Sequence, residues 1–317
     1  MKKHALLRAL LAAPLLALAL PAAAQQARLI IPAPPGGGTD GFFRTFALAA
    51  EEKLDGPLVV VNVGGAGGAI GMNQMIRSAP DGATLAAVWN SPVTAVPHSL
   101  RDSYGPDDFT PIIQLSSAPY VFCVKSEFPA RTGQEFIATL EKNPGKYTYG
   151  NDGVGGIGQL ASERIFRAKK LSVLGVPFKG AGDTLNNFLG GHVDIYVGSI
   201  LPIKSHLDNG KVVCPLLSSA ERTPMLPNAA SLTDIGVPEE QTLLWRGVLG
   251  PKNLPLPVVQ KLQAAFSHAA QKPAVQKFVA DAGEQVVIRT GAELDRMIRD
   301  EYAALGKVAE SLNIARQ

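Results

Sequence analysis

Three strand-to-helix junctions of this 317-residue chain are written largely in glycine: "PPGGGTD", "GGAGGAIG" and "GNDGVGGIG", with "PFKGAGDT" as a fourth, shorter case. Ordering glycine is entropically costly, so a run of it implies that something must approach the backbone. Bare amides at a helix N-terminus bind anions, so Gly36, Gly37 and Gly38, with Thr39 and Asp40 behind them, could rest a carboxylate on main-chain N–H groups. Tight turns and close helix packing would explain any one of these loops. Several of them, spread over both halves of the chain, favour a ligand. Asp40, Asp152, Asp183 and Asp194 fall at loop or strand-end positions. They would serve either as paired acid and base groups or, the plainer reading for Asp40 and Asp194, as helix caps and turn residues.

Other chemistries lack their motifs. G-x-S-x-G, H-E-x-x-H and the P-loop are absent. His98, His192, His206 and His268 are scattered, none beside a nucleophile, and Cys123 and Cys214 form neither a C-x-x-C nor a zinc-spaced cluster. Gly65, Gly67 and Gly71 imitate a dinucleotide loop, but G-x-G-x-x-G needs glycine where Ile70 stands, and the next strand ends in Trp89-Asn90 without an acid for a ribose. No cofactor and no metal are expected.

The elements that must position these loops alternate. "ARLIIPA", "PLVVVNV" and "TLAAVW" read as strands, with helices after the first two glycine loops. This rhythm predicts a parallel sheet flanked by helices, whose carboxyl-end loops form the binding edge. The rhythm breaks between Pro92 and Pro111, and "PIIQLSSAPYVFCVKS" then reads as one extended crossover into a second α/β unit. "KVVCPLLSS" reads as the return, and the tail from Pro255 as largely helical. The expectation is an α/β protein of two lobes joined by two hinge strands. Residues 25–121 and 217–317 form lobe 1 and residues 122–216 form lobe 2, with the ligand in the cleft between them. Cys123 and Cys214 lie near the two crossovers, as a disulfide if the strands adjoin and as two buried thiols if not.

Residues 1–24 read as a secretory signal peptide: Lys2, Lys3 and Arg8, an apolar centre, then Ala22-Ala23-Ala24 before the cut. Without them basic and acidic residues are equal in number, which leaves no electrostatic footprint for nucleic acid. The mature protein is expected outside the cytoplasm.

The motifs "PPGGGTDGFFR", "NVGGAGGAIG", "APDGATL", "PDDFTPI", "NPGKYTYG", "VPFKG", "LGGHVD", "LWRGVLGP" and "LPLPVVQKL" occur in this order over nearly the whole mature chain. They resemble the substrate-binding proteins of tripartite tricarboxylate transporters, the Bug family. The resemblance implies a two-lobed, type II-like periplasmic binding protein, each lobe a mixed sheet with helices. It would act as a monomer without catalysis, delivering a small carboxylate to membrane permease subunits. An exported sensing subunit is the alternative, and an exported enzyme using Asp152 or Asp183 a remoter one. By motif, the resemblance assigns ligand contacts to Gly36, Gly37, Gly38, Thr39 and Asp40, to Asn90 and Ser91, to Asn151, Gly153, Gly155 and Gly156, and to Lys179, Gly180 and Ala181. Asp194 closes the set, more as architecture than as contact.

The departures bear on specificity. Where the family has "NRPGAGG", Val63 and Gly64 replace Arg-Pro; "YGSxGxGSxxHL" becomes "YGNDGVGGIGQL"; and Phe178 replaces a tyrosine. Asp152 and Asp183 add two acids that either line the cleft or face water. Lining it, they would favour a ligand with a cationic or amide end, such as an amino acid or an aromatic carboxylate or amide. Phe43 and Trp89 would give a flat ligand an apolar wall.

Overall fold

The computed structural model describes residues 27–54, 56–101 and 104–314; the expected signal peptide lies outside them. The first strands and helices are β1 (Ala27–Ile31), α1 (Gly38–Ala50), β2 (Leu58–Asn62), α2 (Ala69–Ile76) and β3 (Thr84–Trp89). After a π turn at Ser91–Ala95 come β4 (Phe109–Pro119), β5 (Val121–Lys125), α3 (Gly133–Lys142), β6 (Thr148–Asn151), α4 (Ile157–Ala168), β7 (Leu174–Pro177) and α5 (Ala181–Gly190). The chain continues through β8 (Ile195–Gly198), α6 (Ile200–Asp208), β9 (Val212–Leu217) and β10 (Leu243–Pro251). It ends with α7 (Leu256–Ala270), α8 (Pro273–Asp281), β11 (Gln285–Thr290) and α9 (Gly291–Ser311).

These strands form two mixed sheets, ordered β11-β4-β10-β3-β1-β2 and β7-β6-β8-β5-β9. In each, three strands run parallel, β1, β2 and β3 in the first and β6, β7 and β8 in the second, and every strand added beside them pairs antiparallel with its neighbours. Helices cover both faces. Phe42, Phe43, Phe46 and Ala50 of α1 recur at helical spacing and meet α7 and α8 on one face of the first sheet. Burying each phenylalanine stabilises the lobe by about 1.5–3 kcal/mol. Met72 and Met75 of α2 pack with Leu294 and Ile298 of α9 on the other face. In the second lobe, α3 starts on a capping box in which Glu135 N–H donates to Thr132 Oγ1 and Thr132 N–H to Glu135 Oε2.

The crossovers differ from the sequence reading in two ways. The extended stretch from Pro111 is two strands in two sheets, divided at Tyr120. The return does not occur at 217. After β9 the chain stays on the second lobe, where Ala230, Leu232, Ile235 and Val237 pack with Phe136, Phe166 and Leu216. It re-enters the first sheet at Leu243. The tail also contains β11, which the helical reading overlooked, because "QVVIRT" is a short edge strand between two helices.

The crossing segments are bound side by side. Tyr120 N–H donates to Ser218 Oγ, Ser218 N–H donates to Tyr120 O, and Thr242 N–H donates to Ser218 O. Cys123 and Cys214, on the paired strands β5 and β9, are joined as a disulfide. A shared apolar cluster of Ala95, Tyr120, Ile157, Leu160, Leu244 and Leu305 ties the lobes together. Among the described residues no helix is long and apolar enough to cross a membrane.

Candidate functional site

The register of the strands shows which edges of the sheets face each other. Leu243 at the start of β10 pairs with Pro119 at the end of β4, and Arg246 pairs with Trp89, the last residue of β3. In the second sheet Val121 pairs with Gly198, the last residue of β8. Both crossings therefore leave from the carboxyl edges of the parallel strands, and the glycine loops of both lobes border the same cleft. Ser91 Oγ, after β3, accepts a 3.4 Å hydrogen bond from Ile157 N–H, the first residue of α4.

On the first lobe, β1 leads into residues 36–40. Gly36 has φ +84°, a left-handed turn that suits glycine. Asp40 fixes this turn rather than facing the cleft. Its Oδ2 accepts from Gly36 N–H and its Oδ1 from Arg44 Nε and Asn62 Nδ2, each at 2.9 Å. Burial opposes its ionisation, but the hydrogen bonds from Arg44, Gly36 and Asn62 together outweigh it and hold the carboxyl below its ordinary value. Gly36, Gly37 and Gly38 are exposed. The first intrahelical bond of α1 runs from Gly41 N–H to Gly37 O, so the amides of Gly38, Thr39 and Asp40 precede it. Arg246 of β10 lies beneath this terminus: its Nη1 donates to Thr39 Oγ1 at 2.6 Å and its Nε to both oxygens of Glu284, at 2.9 and 3.1 Å.

On the second lobe the loops after β6 and β7 are knitted together, because Thr184 Oγ1 donates to both Asn151 O and Gly180 O. Asn151 is fully buried and its Nδ2 has no hydrogen-bond partner, while its Oδ1 accepts from Gly153 N–H. Gly155 and Gly156 are buried at the start of α4, and Lys179 and Ala181 are exposed at the start of α5. The two added acids hold their own loops. Asp152 Oδ1 accepts from Gly158 N–H, and burial pushes its carboxyl above the ordinary value despite that bond. Exposed Asp183 accepts from Lys179 N–H and Asn187 Nδ2, a local cap on α5. This local bonding weakens the case for a cationic ligand end.

Four further residues marked in the sequence, Asp194, Asn90, Phe43 and Trp89, are bound into the fold. Asp194 lies at the opposite edge of the second sheet, before β8, where Oδ2 accepts from the N–H and Oγ1 of Thr148 at the start of β6. It ties the start of β6 to the start of β8, the architectural role the sequence favoured. Asn90 is fully buried, and its side chain is committed to the hinge. Its Nδ2 donates to Leu243 O and Glu301 Oε1, and its Oδ1 accepts from Tyr120 O–H. Phe43 is wholly inside the first core and gives no wall, whereas Trp89, partly buried, packs against the shared interlobe cluster.

Sequence reasoning passed over Arg246, Glu284, Tyr120 and Glu301. Only Arg246 left a signal there, a lone charge in the apolar run "LLWRGVLGP", where a buried charge requires a partner. Of two surface depressions, one, beside Lys252 and Arg299, is lined by none of the loop residues, and the other, beside His98 and Asn313, is lined in part by Ile314, which adjoins Gly155. No group of three or more His, Cys, Asp or Glu among the described residues could hold a metal ion. The cleft thus offers helix N-termini, neutral donors and one guanidinium, a set suited to holding an oxyanion.

Comparison with known proteins shows a family and a fold. Residues 42–314 match the family described as the tripartite tricarboxylate transporter family receptor. A relative in Cupriavidus necator, described as the UPF0065 protein in the gbd 5' region, is 32% identical over 88% of this chain and 88% of its own. A solved structure described as a periplasmic transporter is 31% identical, with a TM-score of 0.81 over 92% of this chain and 98% of its own. MatC of Rhodopseudomonas palustris, solved with bound malate, is 27% identical, with a TM-score of 0.77 over 89% of this chain and 98% of its own.

Proposed function

The chain belongs to the tripartite tricarboxylate transporter receptor family of periplasmic solute-binding proteins, and from that premise we propose that it captures a small carboxylate between its lobes and delivers it to a membrane permease. The observation that carries the reading is the convergence of the loops after β1, β3, β6 and β7, three of them glycine-rich, on one cleft, joined by the Ser91–Ile157 contact. The α1 terminus, with exposed Gly36–Gly38 and Arg246 beneath, would seat the carboxylate. The buried, unpartnered Nδ2 of Asn151 and the α5 terminus at Gly180 would meet the far end. MatC, which holds malate, supports a carboxylate ligand.

The lobes are drawn as residues 27–119 with 243–314 and residues 121–242, with Tyr120 and Thr242 at the crossings. Closing about them would bury the ligand and present a closed shape to the permease. The protein binds and releases its ligand unchanged.

The test is a thermal-shift and calorimetric screen of the purified protein, after denaturation and refolding to remove any carried ligand. The panel holds dicarboxylates, monocarboxylates, amino acids and amides. A ligand that binds only the folded state raises the melting temperature by mass action. Stoichiometric binding of one carboxylate class, recovered chemically intact, is the expected result. Preference for an amino acid or amide would overturn the carboxylate reading, and turnover would overturn the receptor reading.

A further inference from the structure

We infer that Arg246 is a specificity-determining residue, whose Nη2 joins the first-turn amides of α1 in holding one carboxylate and makes the cleft select acids over their neutral amides. The inference deepens the carboxylate reading above and rests on it.

Arg246 sits within a strand buried from Leu244 to Pro251, and is itself only 6% exposed. A charge so placed is costly unless paired and hydrogen-bonded. Glu284 meets that need at Nε with both oxygens, and Ser116 Oγ donates in turn to Glu284 Oε2. Thr39 Oγ1 takes Nη1, and the ring of Phe42 lies 5.2 Å from the guanidinium carbon. These contacts fix the guanidinium plane and leave Nη2 with no hydrogen bond to any described residue. Nη2 lies 3.8 Å from the place a Cβ of Gly38 would occupy, the one atom within 4 Å of that place apart from the chain neighbours and the backbone of α1. Gly38 is exposed, so the missing side chain leaves an open approach to Nη2 beside the amides of Gly38, Thr39 and Asp40.

Two independent features therefore meet at one point: a helix N-terminus, and a buried cation with an unpartnered donor directed at it. Both favour an anion. Glu284 balances the charge of Arg246, so the discrimination is short-ranged and should depend only weakly on salt. A carboxylate meets Nη2 with charge on both donor and acceptor, where an amide oxygen accepts from the cation without a charge of its own, an advantage of about 10- to 100-fold in affinity.

The experiment measures dissociation constants of the full protein for matched pairs of carboxylic acids and their primary amides. It compares wild type with the double variant Arg246→Gln/Glu284→Gln, which removes both charges together, and with Gly38→Ala. The alanine methyl meets Nη2 at ordinary contact distance, so this variant covers the donor and leaves the ion pair in place. In wild type the acid should be preferred by at least about tenfold, and in the double variant by less than about threefold. Gly38→Ala should weaken acid binding about tenfold with its melting temperature retained. An unchanged acid-to-amide ratio in the double variant would overturn the inference. If that variant does not fold, unchanged acid affinity in Gly38→Ala overturns it instead. Failure of wild type to bind any acid is a separate outcome, and overturns the carboxylate reading itself.

Discussion

Replacing Glu301 with glutamine should unsettle the hinge without changing its shape. Glu301 of α9 accepts three hydrogen bonds from buried neutral groups: Thr94 Oγ1 at 2.7 Å and Asn90 Nδ2 at 3.1 Å on Oε1, and Trp245 Nε1 at 2.8 Å on Oε2. A carboxylate accepts at both oxygens, whereas a glutamine amide has one oxygen and one NH2 group. If the oxygen serves Thr94 and Asn90, the NH2 faces the Trp245 N–H, donor against donor. A buried donor left unsatisfied costs about 1–3 kcal/mol. Relief of the desolvated charge offsets part of this, so Glu301→Gln should destabilise by about 1–2 kcal/mol at neutral pH. Trp245→Phe removes the opposed donor. It should therefore be less harmful in the Glu301→Gln background than in wild type, with a coupling of about 1 kcal/mol. Urea unfolding of the four proteins measures both quantities, as shifts in midpoint at constant slope.

The pH dependence supplies a second readout. Burial raises the Glu301 carboxyl above its ordinary value of 4.5, against the hydrogen bonds from Thr94, Asn90 and Trp245. The folded state therefore keeps this proton where the unfolded state has lost it. The group's contribution is fully present below 4.5 and declines as pH rises through the folded value. Subtracting the Glu301→Gln stability profile from that of wild type should expose this decline. A variant within about 0.5 kcal/mol of wild type, uncoupled to Trp245 and showing no such difference, would refute the network as drawn.

Other perturbations separate architecture from contact. Asp194→Ala should cost about 1–3 kcal/mol by stranding the donors of Thr148, yet leave ligand affinity within about threefold, as calorimetry on the folded variant would show. Asp40→Asn should loosen the Gly36 turn and weaken binding about tenfold. The folded carboxyl of Asp40 is held below 3.8, so the stability it supplies is present above 3.8 and lost as pH falls through the folded value. Acid unfolding of Asp40→Asn should lack that component. Reducing the Cys123–Cys214 disulfide, whose cysteines are 91 residues apart in sequence, releases a loop worth up to about 4–5 kcal/mol in the chain-entropy account. A thermal melt with and without dithiothreitol measures the loss, and no change would mean the bond constrains little in the unfolded chain.

The legible parts of this molecule were those governed by local rules. The patterns of "ARLIIPA" and of Phe42, Phe43, Phe46 and Ala50 placed β1 and α1, although α1 starts at Gly38 and stops at Ala50 where a helix from Thr39 or Asp40 to about Leu54 was expected, and glycine loops marked carboxyl ends of parallel strands. Local rules also separate architecture from cleft. Asp194 shares the composition of a site residue, but it precedes its strand instead of following it, and in a parallel sheet that difference moves a side chain to the far edge. Arg246 presents the converse case. It reaches the cleft only because β10, more than 150 residues after β3, inserts antiparallel between β3 and β4 and brings its beginning to their ends. No window of sequence contains that pairing. What a window does contain is the anomaly of one charged residue in nine residues of buried strand. Burial makes such a charge intolerable without partners, and a residue that needs partners from distant elements stands where those elements converge. In a two-lobed fold whose crossings leave from the carboxyl edges, that meeting place is beside the cleft.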